Sequence, residues 1–173
     1  NILLEVVNDI LDFSKIESGK LELNIEKYRI DDIILQIKEL INYQAHSKNL
    51  EINYIINEDV PKYIWVDYIR LKQVLINLLT NAVKFTHKGK IELSISALEI
   101  QKSQSILRFS VKDTGIGIRK NNQKIIFQAF SQEDSSTTKK FGGTGLGLTI
   151  SNQLLGLMNS KLQINSQFNV GST

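Results

Sequence analysis

Cysteine is absent from the 173 residues, which excludes disulfides and thiolate metal sites but leaves the compartment open. Histidine occurs only at His46 and His87, too few for a histidine-based metal cluster. Proline occurs once, at Pro61, inside an expected turn over residues 57–61. No apolar run approaches the length of a membrane span, and no signal-peptide pattern is present. Charge of one sign is lacking too: 21 Lys and Arg against 18 Asp and Glu leave a net charge of +3. The basic residues are scattered, with local clusters only at Lys139-Lys140 and Lys88-Gly89-Lys90. A nucleic-acid binder would concentrate them on one face, interleaved with aromatics, so a solvated surface and no nucleic-acid partner are expected.

What is present suits one soluble domain with a full core: 42% hydrophobic and 23% charged residues over 173 positions. Ile2, Leu3, Val6, Val7, Ile10 and Leu11 repeat at helical spacing, and Ser18-Gly19 breaks the pattern. Residues 21–28 alternate as a strand, and Asp31 or Asp32 is expected to cap a helix over 33–47. A strand over 50–56 precedes the turn at Pro61, and a long helix follows over 68–86. Strands over 90–99 and 105–113, a short helix over 123–130, a helix over 146–158 and a strand over 161–166 complete the pattern. Hairpins mixed with helices predict an α/β (α+β) two-layer sandwich, a mixed and mostly antiparallel sheet with helices on one face, rather than a doubly wound fold.

The helix over 68–86 carries the first chemical signal. Leu71, Val74, Leu75, Leu78, Ala82 and Phe85 form one apolar face, and Ile76, Leu79 and Val83 extend it. Between them runs a polar stripe of Arg70, Gln73, Asn77, Asn81 and Lys84. A helix apolar around most of its girth is largely buried, and an unpaired buried amide costs roughly 1–3 kcal/mol. The stripe therefore either bonds to neighbouring protein or lines a polar ligand site. Amide carbonyls and a lysine suit Mg²⁺ and phosphate oxygens.

Two glycine turns supply the rest. Asp113-Thr114-Gly115-Ile116-Gly117-Ile118 follows a strand, and its glycines let the backbone approach a flat ligand closely. The Asp113 carboxylate can accept a hydrogen bond from an exocyclic amine such as that of adenine. The tripeptide also occurs in aspartic proteases, but those need a second Asp-Thr/Ser-Gly and an all-β pattern, and neither is found here. Gly142-Gly143-Thr144-Gly145-Leu146-Gly147-Leu148 precedes a helix, where bare N–H groups and the helix dipole favour phosphate. It is neither a Walker loop nor a Gly-x-Gly-x-x-Gly turn.

Together these stretches resemble the sequence boxes of histidine protein kinases, in order and spacing, across essentially the whole chain. Residues 77–86 resemble the N box, 113–118 the first glycine box, Phe127 to Phe130 the F box, and 143–148 the second glycine box. Residues 8–20 resemble the end of the second dimerisation helix, and 131–141 are most similar to the hybrid type that carries receiver domains. The resemblance implies a Bergerat-type ATP-binding fold, with residues 1–18 ending the dimerisation helix and 19–173 forming the catalytic ATP-binding domain. It implies ATP and Mg²⁺ as cofactors. Asp113 would bind the adenine amino group, Asn81 with Asn77 would hold Mg²⁺, and Lys84 would neutralise phosphate charge. Gly115, Gly117 and Ile118 would line the base side. Gly143, Thr144, Gly145, Leu146, Gly147 and Leu148 would shape the phosphate side. Residues 131–142 would be a lid based on Phe127 and Phe130, with Lys139 or Lys140 reaching the γ-phosphate.

Hydrolases of the same fold carry a Glu one helical turn before the metal-binding Asn; this chain has Asn77 there. An amide takes no proton from water at neutral pH, so the resemblance favours transfer to a protein side chain. The family's acceptor motif, His-Glu-x-x-Thr/Asn-Pro, is missing, and both histidines are expected at the surface. No acceptor therefore lies within the sequence; it is expected upstream of Asn1. The implied partners are the dimerisation helices of the same protein and a receiver domain, in a homodimeric parent on the cytoplasmic side, membrane-anchored or not. The piece itself is expected to be monomeric. Ser160 stands where the family usually has Gly, which predicts a slightly strained left-handed turn, and the family's last strand is expected beyond Thr173.

Overall fold

The computed structural model describes residues 2–100, 105–128 and 145–173. In chain order the elements are α1 (Ile2–Glu17), β1 (Glu26–Arg29), α2 (Ile30–Ser47), β2 (Glu51–Ile56), β3 (Tyr63–Val66), α3 (Tyr68–Phe85), β4 (Lys90–Ile100) and β5 (Ser105–Asp113). A 3₁₀ turn (Ile125–Phe127), α4 (Gly147–Leu157), β6 (Ser166–Gln167) and β7 (Gly171–Ser172) follow.

The main sheet runs β2-β4-β5-β7-β6, with β2 parallel to β4 and every other pair antiparallel. Along β4, Ile91, Leu93 and Ile95 are buried while Glu92, Ser94 and Ser96 are only partly covered. That alternation turns one face toward the helices. The expected mixed sandwich is the architecture seen. A separate ribbon pairs β1 with β3.

Helix α3 sits between two cores. Leu71, Leu75, Leu79, Ala82 and Val83 pack with α2 and the sheet. On another side Val74 and Leu78 meet Leu146, Ile150 and Leu154, with Phe13 and Ile16 from α1. This explains why α3 is apolar around most of its girth. Its start is set by Asp67, whose carboxylate accepts from the Arg70 N–H (3.1 Å) and, through its other oxygen, from the Asn24 N–H (3.0 Å).

Several local expectations are corrected. Helix α2 begins at Ile30 with Arg29 as an N-cap that makes no side-chain bond; Asp31 and Asp32 lie in the first turn, where their charge favours the helix dipole. The first strand spans Glu26–Arg29 rather than 21–28, because its register is set by β3, a strand the sequence reading missed. Residues 123–130 form no α-helix as far as they are described; a single 3₁₀ turn stands at Ile125–Phe127. The strand expected over 161–166 is regular only at Ser166–Gln167. At the end of α4 the left-handed residue is Asn159 (φ 53°), not Ser160, whose N–H reaches back to the Leu155 carbonyl (2.8 Å). Asparagine tolerates that conformation, so Ser160 carries no strain.

Candidate functional site

Every residue of the α3 stripe is half-buried, and the two ends of the stripe have different partners. At the N-terminal end, the Asp12 carboxylate of α1 accepts from Arg70 Nη1 (3.1 Å) and Gln73 Nε2 (2.8 Å). Those two residues bond to protein. Further along, Asn77 Nδ2 donates to Ser151 Oγ on α4 (2.9 Å), and Asn81 Nδ2 donates to Asn77 Oδ1 (3.3 Å). The amides thus form a short ladder, which leaves the Asn81 oxygen without a hydrogen bond among the described residues.

Lys84 follows one turn later, its Nζ 5.0 Å from the Phe85 ring centroid. Burial, and after it the charge of Lys48, hold its ammonium below the ordinary lysine value. Lys48 is nearby because its Nζ donates to the Val83 and Lys84 carbonyls (2.8 and 3.0 Å), at the C-terminal end of α3.

The first glycine turn closes against that same end. The Ile116 N–H donates to the Phe85 carbonyl (3.2 Å), and a Cβ on Gly115 would stand 2.5 Å from that oxygen. Only glycine allows this approach. Asp113 Oδ1 accepts from the Gly115 N–H (2.8 Å). Burial pushes the Asp113 carboxyl above the ordinary carboxylate range, against the Gly115 and Ser172 N–H groups, which pull it down. Gly117 takes a left-handed φ of 63°, and the Ile118 N–H donates to Ser166 Oγ (2.8 Å).

The second glycine segment meets α3 at its middle. Gly145 is left-handed (φ 70°), Leu146 is buried, and Leu148 is half-buried. Gly147 opens α4 against Asn77; a Cβ there would collide with Asn77 Oδ1. Leu146, at the N-cap of α4, makes no capping bond through its own side chain. Thr149 Oγ1 donates to the Phe127 carbonyl (3.1 Å), which ties the half-buried Phe127 to α4.

Contacts at Asn77 and Phe85 therefore join α3 to both glycine segments, about 12 Å apart along its axis at about 1.5 Å per residue. Phe130, Lys139, Lys140, Gly143, Thr144 and the expected lid over 131–142 lie outside the described residues. Among the described residues, two open cavities lie apart from Asn81 and Asp113. One, of about 520 Å³, lies between α1 and α3 beside Asp12 and Ile69, and one, of about 330 Å³, beside Ile118 and Phe168. Neither is lined by Asn81 or Asp113. Among the described residues no three His, Cys, Asp or Glu side chains cluster as metal ligands, and no helix is long and apolar enough to cross a membrane. Sequence reasoning missed Asp12 and Ser151, whose contacts span 61 and 74 residues of chain with no local signature.

The family described as histidine kinase-, DNA gyrase B-, and HSP90-like ATPase matches residues 66–173. The chain is 39% identical over 173 residues to signal transduction histidine-protein kinase BarA of Escherichia coli K12, covering 100% of this chain and 19% of that protein. It is 42% identical over 171 residues to sensor histidine kinase GacS of Pseudomonas protegens, covering 98% of this chain and 18% of that one. The crystal structure of full-length ShkA in complex with AMPPNP superposes with a TM-score of 0.83 at 35% identity, over 98% of this chain and 34% of that one. This chain therefore spans about a fifth of the length of those curated relatives. A match that begins just before α3 and runs to Thr173 takes in the amide ladder and both glycine segments, and the chain belongs to the histidine kinase-, DNA gyrase B- and HSP90-like ATPase family.

Proposed function

We propose that the chain is the ATP-binding catalytic domain of a histidine kinase. It holds Mg·ATP for phosphoryl transfer to a histidine on a dimerisation helix outside this sequence, for onward transfer to a receiver-domain aspartate. The observation that carries this reading is the Asn77–Asn81 ladder set between two glycine segments that both touch α3.

The residues fit the nucleotide chemically. Asp113 offers a carboxylate to an exocyclic amine, with Gly115, Gly117 and Ile118 beside it. Asn81 presents a hard amide oxygen, the kind of donor Mg²⁺ takes, with Asn77 behind it. Lys84 brings positive charge to the same helix face. The N-terminus of α4, at Gly145, Gly147 and Leu148, presents backbone N–H groups of the kind that suit phosphate, with Leu146 buried beside them. Gly143, Thr144, Phe127, Phe130 and Lys139 are assigned to the nucleotide on the family resemblance. Magnesium, when bound, neutralises phosphate charge, and phosphoryl transfer depends mainly on such neutralisation and on positioning.

Transfer to a protein is favoured over hydrolysis by Asn77. Its amide is neutral and already bonded to Ser151 and Asn81, so it is no base for water. Residues 1–18 are read as the end of a dimerisation helix in a homodimeric parent, with the domain on the cytoplasmic side whether or not that parent is membrane-anchored.

The test is a chain extended N-terminally through the preceding helix and incubated with γ-labelled ATP. The expected product carries acid-labile phosphate on a histidine of the added segment. An extended chain that binds ATP and labels no histidine overturns the kinase reading and leaves a nucleotide-binding module.

A further inference from the structure

Ser151 lies on α4, outside every motif that suggested the site, yet it is only 2% exposed and its hydroxyl meets the N-box helix. The geometry points to Ser151 as a positioning residue for the metal: it anchors the Asn77 amide, which in turn orients the Asn81 amide so that the Asn81 oxygen faces the metal. This inference rests on the nucleotide-site reading above and adds a residue to it.

The chain of contacts is short. Ser151 Oγ accepts from Asn77 Nδ2 at 2.9 Å, and Asn77 Oδ1 accepts from Asn81 Nδ2 at 3.3 Å. Once the Asn81 nitrogen is committed to Asn77, its oxygen is the atom left for a ligand. An amide whose two ends differ only as donor and acceptor rotates by half a turn at little cost in shape, so its direction must be fixed by a partner. Asn77 has little room to adjust, because Gly147 lies against its oxygen so closely that any Cβ there would clash. The α4 backbone thus holds the Asn77 side chain in place, and the Ser151 hydroxyl gives its nitrogen a partner. Ser151 itself is fixed by burial beside Ile150 and Leu154 in the smaller core.

Removing the hydroxyl by Ser151→Ala leaves nearly the same volume and takes away the anchor. The Asn77 nitrogen, half-buried, then competes for other partners, including the Asn81 oxygen. The effect should therefore appear in the metal dependence of nucleotide binding and not in binding as a whole.

The test is calorimetric titration of the chain with ADP, in EDTA and across a Mg²⁺ series, for wild type, Ser151→Ala, Ser151→Cys, Gln153→Ala and Asn81→Ala. Gln153 is the control on the same helix: it bonds to Glu17 of α1 (2.7 Å), away from the ladder. Ser151→Ala is expected to raise the Mg²⁺ concentration for half-maximal tightening about tenfold, with ADP affinity in EDTA unchanged. Ser151→Cys, a weak acceptor of similar size, should fall between, and also serves if the alanine variant fails to fold. Gln153→Ala should match wild type. A Ser151→Ala or Ser151→Cys curve that overlays wild type overturns the proposal, as does a Gln153→Ala shift equal to that of the Ser151 variant tested. If Asn81→Ala removes the Mg²⁺ response while both Ser151 variants keep it, only the positioning role falls. If Asn81→Ala also keeps it, the metal site itself falls.

Discussion

Replacing Asp113 by Asn should separate binding from stability. The substitution keeps an oxygen that can accept from the Gly115 N–H, now 2.8 Å from Oδ1, and removes the negative charge. A hydrogen bond to a charged group is worth roughly 1.5–3 kcal/mol, so loss of the carboxylate's bond to the adenine amine should weaken Mg·ADP binding about 10- to 150-fold. Stability should move the other way. Burial raises the Asp113 carboxyl above its ordinary value, outweighing the Gly115 and Ser172 N–H groups, so its charged form is disfavoured in the folded chain. A carboxyl raised on folding contributes stability in full below its unfolded pKa, and that contribution is lost as pH rises through its folded pKa. At neutral pH the charge is therefore a net cost, and Asp113→Asn should hold or raise the urea midpoint of the nucleotide-free chain. The gain should stay under about 1 kcal/mol, because the residue is half-buried and solvent screens the rest. The same carboxyl predicts nucleotide affinity that weakens on acidification at a higher pH than an exposed aspartate would give. The assay is calorimetry with Mg·ADP beside urea unfolding without it. Undiminished affinity refutes the adenine assignment, and loss of stability in step with affinity refutes the electrostatic argument.

Two further changes probe what surrounds the site. Asp12→Ala removes the acceptor shared by Arg70 and Gln73 and should lower unfolding free energy by about 1–2 kcal/mol, less at high salt because the pair is partly exposed; an unchanged urea midpoint contradicts it. Lys48→Ala strips a cation from the last-turn carbonyls of α3 and should cost about 0.5–1 kcal/mol while letting the Lys84 ammonium titrate higher, as followed by NMR of its side chain; an unmoved Lys84 titration contradicts that coupling.

Legibility in the sequence followed the range of the physics. The bounds of α3 were readable because eighteen residues of helical periodicity lie between Asp67 and Thr86, and β4 and β5 because both alternate over a long span. The stripe on α3 was readable as polar and half-buried, but its division was not. Nothing local tells Gln73, bonded to Asp12, from Asn77, bonded to Ser151. The ribbon strand Tyr63–Val66 carried a legible signal, four β-favouring residues, and was lost beside the turn at Pro61. Its pairing with β1 then moved the first strand as well. Helix α2 starts at Ile30 with no side-chain cap bond, so burial of Ile30, Ile33, Ile34 and Ile37 outweighs the capping preference that pointed to Asp31 or Asp32. Asn159 rather than Ser160 takes the left-handed turn because asparagine accepts that backbone at less cost.

The central claim is that α3 and the two glycine segments grip one adenine nucleotide. The most direct measurement is a ¹⁵N NMR titration of the chain with Mg·ADP, following the Asn77 and Asn81 side-chain amides and the Gly115 and Gly147 backbone amides. All four should shift together, on one saturation curve. Shifts confined to Lys120 and Phe168, or to Asp12 and Ile69 at the α1–α3 groove, with those four amides unmoved, would contradict it.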